Sequence, residues 1–398
     1  MQNQNCRFLT SSKMQNRLNL LVLFLAAMAV SSLAQTPIAA TGKNKALGAD
    51  ESAAILSYWT PERLASAKPM DLQRADRSNP GAFQAPVTHG PQVFAPGARP
   101  TLSLPSGPAQ QSASETDAAE LSGLAPQFNY VYPFTTYADP DFAKYPEQTV
   151  GTLFFSLEGG NFRCSASVIR PHTLVTARHC VYDVNTGVFA SNEVFYPGWT
   201  GGHANNKYGG AWVWRNAETW GGGGFNYDLA LIQMADHNGT GCGGSSGTPP
   251  VEAYTGYLGY TYNGDFSQRQ WAVLGFPAAS NPEDSNPFNG KFLIRSDAAT
   301  GHVNDDIGGV FTNTVEVGSD QTGGTSGGPW LIGYNPGTTA TFKFGANSLF
   351  GSNNGNYANS VNSFKFTSPD HGLAINGPEF DDYNFLNLLT AYNTISCP

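Results

Sequence analysis

Gly323-Gly324-Thr325-Ser326-Gly327-Gly328-Pro329 sets a single serine in a run of glycines. Glycine lets a backbone turn sharply and come close to a substrate, so successive N–H groups can aim at a developing oxyanion. By itself such a run is also the composition of an ordinary loop. Two upstream stretches change its reading: Thr176-Ala177-Arg178-His179-Cys180, and Asn226-Tyr227-Asp228-Leu229-Ala230-Leu231-Ile232. A base, a carboxylate and a hydroxyl therefore follow one another along the chain, each in a distinctive setting.

That order separates the known serine-hydrolase scaffolds. His, then Asp, then Ser is the chymotrypsin arrangement, whereas subtilisins run Asp, His, Ser and α/β-hydrolases run Ser, Asp, His. Asp228 stands 49 residues after His179, and Ser326 stands 98 residues after Asp228, enough for one small barrel and then a second. Over roughly residues 146–395 the sequence resembles the trypsin-like, chymotrypsin-fold serine peptidases. Within them it looks nearest the bacterial glutamyl-endopeptidase-like branch, through Gly275-Phe276-Pro277 and the Asp320-Gln321-Thr322-Gly323-Gly324 approach to the serine. The resemblance implies an all-β fold of two six-stranded antiparallel barrels with a C-terminal helix. It also implies peptide-bond hydrolysis through an acyl-enzyme, with a polypeptide substrate and neither metal nor organic cofactor.

The chemistry expected of each residue follows. A neutral hydroxyl is a poor nucleophile, so Ser326 needs a base within hydrogen-bond reach and a third group to orient that base. His179 has the intrinsic basicity to take the proton and later return it. Asp228 should accept the other ring N–H and fix the tautomer, anchored by the apolar Leu229-Ala230-Leu231-Ile232 that follows it. The N–H groups of Gly324 and Ser326 would form the oxyanion hole, each donor being worth on the order of 3 kcal/mol. Alone, each residue also reads as a structural histidine, a turn aspartate or a loop serine; order and setting together favour catalysis. His172, His203, His237, His302 and His371 lack the cysteine-flanked setting and are expected on the surface or in loops.

Two departures from the family pattern stand out. Arg178 fills a place usually held by a small residue, and is expected to point to solvent. Thr325 stands where trypsin has the aspartate that pairs with a newly freed N-terminus, so any leader is expected to act as a folding aid or a steric block. Specificity is less legible. Asp320 matches by counting the residue that selects Arg or Lys in trypsin, and a structural role is as well supported. Gln321 and Thr322 are candidate pocket walls, and Ser348 marks a candidate strand edge for pairing with extended substrate.

Of five cysteines, Cys6 lies in an N-terminal segment with Arg7, Lys13 and Arg17, an apolar run from Leu18 to Val30, and the small-residue end Ser31-Ser32-Leu33-Ala34. That pattern is a secretory signal peptide, residues 1–34, with cleavage expected after Ala34 and no membrane attachment afterwards. Export to an extracellular or periplasmic space suits the four remaining cysteines, which allow three connectivities. The resemblance implies a Cys164–Cys180 bridge closing the strand and turn that present His179, which leaves Cys242 and Cys397 as the second pair.

Residues 35–135 read as a leader or propeptide. A helix is expected over Leu47–Ala67, interrupted at Tyr58-Trp59-Thr60-Pro61-Glu62-Arg63, and the Pro-, Gly- and Ser-rich stretch from Lys68 to Gln127 is expected to be largely flexible. The catalytic domain is then 136–398, with barrels at about 146–248 and 249–380 and a helix at about 381–392. Short β-branched and aromatic runs separated by turn signals carry this assignment. They are Thr152–Leu157, Ser165–Ile169, Thr173–Ala177, Glu193–Tyr196, Leu229–Met234, Trp271–Gly275, Phe292–Ser296, Val310–Val317, Trp330–Ile332 and Thr341–Ser348. A net charge of −9 and the absence of a basic run argue against a nucleic-acid partner. The expectation is a secreted monomeric endopeptidase; the same residues also fit an esterase or a catalytically silent, protease-like binding protein.

Overall fold

Glu158 and Gly159 both adopt positive φ, 49° and 78°, between Leu157 and Gly160, which pair directly. Positive φ at both central residues makes the two-residue turn whose twist matches that of paired strands. It joins Val150–Leu157 to Gly160–Arg170, the centre of the first lobe. Both strands are rich in apolar residues, and Val150, Leu153, Phe154 and Phe155 are fully buried. The computed structural model describes residues 39–43, 49–81, 89–102, 132–139, 144–201, 210–236, 249–267, 269–281, 288–336, 355–368 and 371–394.

Six strands close a barrel around that hairpin. The hydrogen-bonded order is Trp212–Trp220, Ser191–Pro197, Val150–Leu157, Gly160–Arg170, Thr173–Thr176, Ala230–Met234 and back to Trp212–Trp220. Closure leaves no continuous open edge, although one end each of Trp212–Trp220 and Gly160–Arg170 runs past its barrel neighbour and stays open to pairing on that side. The second lobe is an antiparallel path of Ala374–Pro378, Thr314–Gly318, Leu293–Val303, Gln270–Gly275, Pro329–Ile332 and Tyr357–Val361. Its core is aromatic, with Trp271 edge-on to Trp330 at 5.5 Å. The chain ends in a short helical segment capped by Asp381, whose carboxylate accepts from the Tyr383 and Asn384 N–H groups, and continuing as the helix Asn387–Asn393.

In the stretch expected to be a flexible leader, the described residues 39–43, 49–81 and 89–102 carry regular elements that pair with the rest of the chain. Helices Ala49–Tyr58 and Pro61–Ser66 flank the expected break, with Thr60 capping the second and Pro61 opening it. Trp59 is buried against the first lobe, its indole N–H donating to the Asn192 carbonyl at 2.6 Å. Five N-terminal strands extend the two sheets, the last of them straddling the expected boundary at residue 135. Ala39–Lys43 pairs with Trp212–Trp220, Lys68–Pro69 with Gly160–Arg170, Gln73–Ala75 with Phe364–Phe366, Val93–Ala95 with Gly259–Tyr262, and Phe134–Asp139 with Leu293–Val303. The reason is that backbone pairing to existing edges, plus single anchors such as Leu64 and Leu72, replaces the core that this stretch cannot build for itself. Cys242, Cys397, His203, His237, Ser348, the 341–348 strand and the signal segment 1–34 lie outside the described residues.

Glu193 sits fully buried in the first lobe, and among the described residues neither of its carboxylate oxygens has a hydrogen-bond partner. Burial therefore holds its carboxyl well above the usual carboxylate range. A raised folded-state pKa gives a proton uptake that the unfolded chain lacks, so stability falls as pH rises from the unfolded value towards the folded one. Glu193→Gln removes that loss. Its melting temperature should exceed wild type at pH 8 by the equivalent of about 1.4 kcal/mol or more, the worth of a one-unit shift, and the gap should close near pH 4. An equal gap at both pH values would show that ionisation of this carboxyl is not the cause.

Candidate active site

Three structural elements converge on the cleft. His179 lies on a single helical turn, Arg178–Cys180, that directly follows the strand Thr173–Thr176, and the Cys164–Cys180 disulfide ties that turn to the adjacent strand. Closing a loop of 16 residues contributes roughly 3 kcal/mol, and here it also restricts where the imidazole can sit. Because both cysteines are spent in the bridge, their sulfurs beside His179 do not form a thiolate metal site.

Asp228 follows another single turn, Phe225–Tyr227, and leads into the buried strand Ala230–Met234. Its carboxylate accepts from the His179 backbone N–H at 3.0 Å and from His179 Nδ1–H at 2.9 Å. A third bond comes from the Ser363 hydroxyl at 2.5 Å. Complete burial would raise this carboxyl, but the imidazole, the nearby Arg178 guanidinium and the Ser363 hydroxyl hold it down to about 2. Asp228 is thus ionised across the neutral range, and it orients the ring so that Nε2 is the nitrogen left free. Among the described residues His179 Nε2 has no hydrogen-bond partner.

Arg178 does not point to solvent. It is 5% exposed, and its guanidinium donates to the Gly222 carbonyl at 2.6 Å. Burial lowers its pKa, while Asp228 opposes the shift. The cation is kept inside because it supports both the carboxylate and the loop across from it.

The serine loop is held from below. Thr325 N–H donates to Thr322 C=O, and Gly328 N–H to Thr325 C=O, making successive tight turns. Gly327 has φ +81°, and a Cβ there would lie 2.0 Å from Thr176 Oγ1, so glycine alone fits. Gly324 has φ +93°, which turns its N–H into the cleft. Ser165 links the lobes: its N–H donates to Ser326 C=O at 2.8 Å and its hydroxyl to Gly324 C=O at 2.9 Å. Gln321 is an internal prop, donating to Val273 C=O and accepting the Thr325 hydroxyl. Asp320 is fully buried and accepts the hydroxyl of Thr136, from the strand Phe134–Asp139. Thr322 donates to Ala279 C=O.

A peptide already lies in this cleft. Gly324 N–H donates to the Met70 carbonyl at 2.8 Å, and the Ser326 hydroxyl reaches the same oxygen at 3.5 Å. The Gln73 carboxamide nitrogen is 3.2 Å from His179 Nδ1. No motif marks Met70 or Gln73. Nor did the sequence single out Ser363, Asn362 or Thr136, whose surroundings carry no local motif. Of the remaining histidines, His302 and His371 meet Asp306 and Glu316 at 2.7 and 2.8 Å, and His172 faces Asp236 and Glu252.

A family model described as Trypsin matches residues 144–365, more than half of the chain, and the chain belongs to the trypsin family. The glutamyl endopeptidase of Bacillus licheniformis is 26% identical over 163 residues, 40% of this chain and 47% of that protein. The chain thus matches about half the length of that curated relative. Two solved structures are each 27% identical over 62% of this chain: a thermostable serine protease, AL20, from an extremophilic microorganism, covered to 98% with a TM-score of 0.47, and the protease Anisep of Arthrobacter nicotinovorans, covered to 94% with a TM-score of 0.45. A Glu endopeptidase in complex with MPD is 14% identical over 65% of this chain and 96% of its own, with a TM-score of 0.43.

Proposed function

We propose that this protein is a secreted serine endopeptidase that cleaves polypeptides through an acyl-enzyme, with Ser326 as nucleophile, His179 as general base and acid, and Asp228 as the group that orients the base. The observation that carries the reading is the buried, ionised Asp228 bonded to His179 Nδ1, next to a serine loop whose Gly324 N–H holds a peptide carbonyl. Family membership supports it. In the first step the Ser326 oxygen attacks the scissile carbonyl carbon while His179 Nε2 takes the hydroxyl proton. The carbonyl oxygen becomes an oxyanion facing the Gly324 and Ser326 N–H groups. His179 then gives the proton to the departing amine, and a water repeats the sequence to release the acid. Asp228 stays ionised and stabilises the imidazolium throughout.

The second lobe is taken as the counterpart of the closed barrel, so that the cleft lies between two barrels. Removal of residues 1–34 and a monomeric, exported product complete the reading. No helix among the described residues is long and apolar enough to cross a membrane.

A fluorophosphonate probe tests the assignment. Protein freed of its leader should label at one residue, and Ser326→Ala should abolish labelling while leaving the melting temperature within a few degrees of wild type. Absence of labelling in the wild-type protein would favour a protease-like binding protein, and turnover of an ester without its matched amide would favour an esterase.

A further inference from the structure

We infer that the leader segment Lys68–Arg77 is a built-in plug of the active-site cleft, held backwards and with its Met70 carbonyl in the place of a substrate carbonyl. This rests on the catalytic reading of Ser326 and His179 given above. The segment enters along the first lobe: Lys68–Pro69 pairs with Phe162–Arg163, and Met70 N–H donates to Arg163 C=O at 2.9 Å. It crosses the serine loop, where the Met70 carbonyl takes the Gly324 N–H, and Asp71 lies so close to Gly323 that a Cβ there would be 2.7 Å from the Asp71 carboxylate. It leaves along the second lobe, with Gln73–Ala75 paired to Phe364–Phe366, directly after the Ser363 that bonds Asp228.

Side chains fasten it at both ends. Trp59, Leu64 and Ala67 belong to the core of the first lobe, and Leu72 to that of the second. Ala75 packs with Phe311, Phe364 and Phe366. Beyond it Arg77 lies over the Phe366 ring and donates to His371 Nε2 at 2.9 Å and His302 Nε2 at 3.2 Å. The plug thus spans the nucleophile loop, the base and both walls.

Its geometry also explains why it is a plug and not a substrate. Attack requires the Ser326 proton to pass to His179 Nε2 while the oxygen approaches the carbonyl carbon. Here the hydroxyl is bonded to the Met70 carbonyl oxygen, and Nε2 is unengaged. Both flanking pairings are parallel. Parallel pairing is slightly weaker per residue than antiparallel, so a free extended peptide adding in the antiparallel sense competes well once the plug is loosened.

The test compares full-length wild type with full-length Gln73→Ala/Arg77→Ala, reading the rate of Ser326 labelling by a fluorophosphonate, with melting temperature as the control for folding. Arg77→Ala alone carries the same comparison if the double variant melts early. Wild type should label slowly and the variants at least tenfold faster. A synthetic peptide of residues 62–79 added to the variant should slow labelling again, and mass spectrometry should recover that peptide uncut. Equal, rapid labelling of wild type and variants would overturn the plug while leaving the enzyme intact. Rapid cutting of the peptide beside Met70 would overturn it as well. If neither full-length protein nor protein freed of its leader labels, the catalytic reading fails and the plug fails with it.

Discussion

Asp228→Asn should lower kcat about 10⁴-fold with little change in KM and with the fold retained, measured on protein whose leader has been released. The argument lies in the proton on the imidazole. Asp228 accepts at both oxygens: Oδ1 from the His179 backbone N–H, Oδ2 from Nδ1–H and the Ser363 hydroxyl. An amide in that position keeps one acceptor, and the backbone N–H claims it. Its NH₂ group then faces Nδ1, which becomes the acceptor, and the ring proton moves to Nε2. A protonated Nε2 in a neutral ring cannot take the serine proton, and a tautomer switch of this kind costs a Ser-His-Asp protease about 10⁴, or some 5.5 kcal/mol of barrier.

The pH behaviour separates this from general damage. With its folded value held at about 2 against an unfolded value near 3.9, Asp228 stabilises the folded state above pH 4 and loses that contribution as pH falls towards 2. The asparagine variant should lack that acid limb in its melting curve. A loss of less than tenfold in kcat would show that Asp228 does not set the tautomer.

The His179–Asp228 contact was legible because each residue sits in a short motif with its own strand, and a buried strand fixes direction. The Cys164–Cys180 bridge was legible from the family resemblance, and the helix break at Trp59 from the Thr60-Pro61 pair that caps and opens the next helix. Trp212–Trp220 was missed because its register shifts between Trp214 and Asn216, which breaks the alternation that marks a strand. Tyr357–Val361 reads as a polar loop, since its buried Asn359 and Ser360 are polar, and the Asn359 amide is held inside by donating to Thr261 C=O, a partner far away in sequence. The pairing of residues 68–69, 73–75 and 93–95 was not legible for a related reason. It comes from edges that belong to the rest of the chain, and no window of the local sequence contains them. Ser363 shows the same limit within the site: a serine in a strand acquires meaning only when the fold brings a carboxylate to it.

Asn362→Ala should be the most destabilising polar substitution near the site, by about 3–6 kcal/mol, with labelling of Ser326 slowed at least tenfold. Asn362 is fully buried behind the serine loop. Its amide nitrogen reaches Leu274 C=O at 3.1 Å, Thr325 C=O at 3.0 Å and Thr325 Oγ1 at 2.8 Å, and its amide oxygen accepts the Trp330 indole N–H at 2.6 Å. Alanine leaves the buried Trp330 indole N–H unpaired, at about 1–3 kcal/mol, and removes the amide donor from the Leu274 and Thr325 carbonyls, at about 0.5–1.5 kcal/mol each, although Thr325 C=O keeps the Gly328 N–H. That is a large part of the 5–15 kcal/mol typical of a folded domain. The backbone of Asn362 would still accept from Gly327 N–H and donate to Gly328 C=O, so the loop would stay attached but lose its floor. A double-mutant cycle identifies the mechanism. Trp330→Phe removes the indole N–H that Asn362 serves, so adding it to Asn362→Ala should cost about 1–2 kcal/mol less than the sum of the two single changes. Strict additivity would mean that the orphaned indole is not what the alanine variant suffers from, and that the damage comes instead from the cavity left behind Thr325.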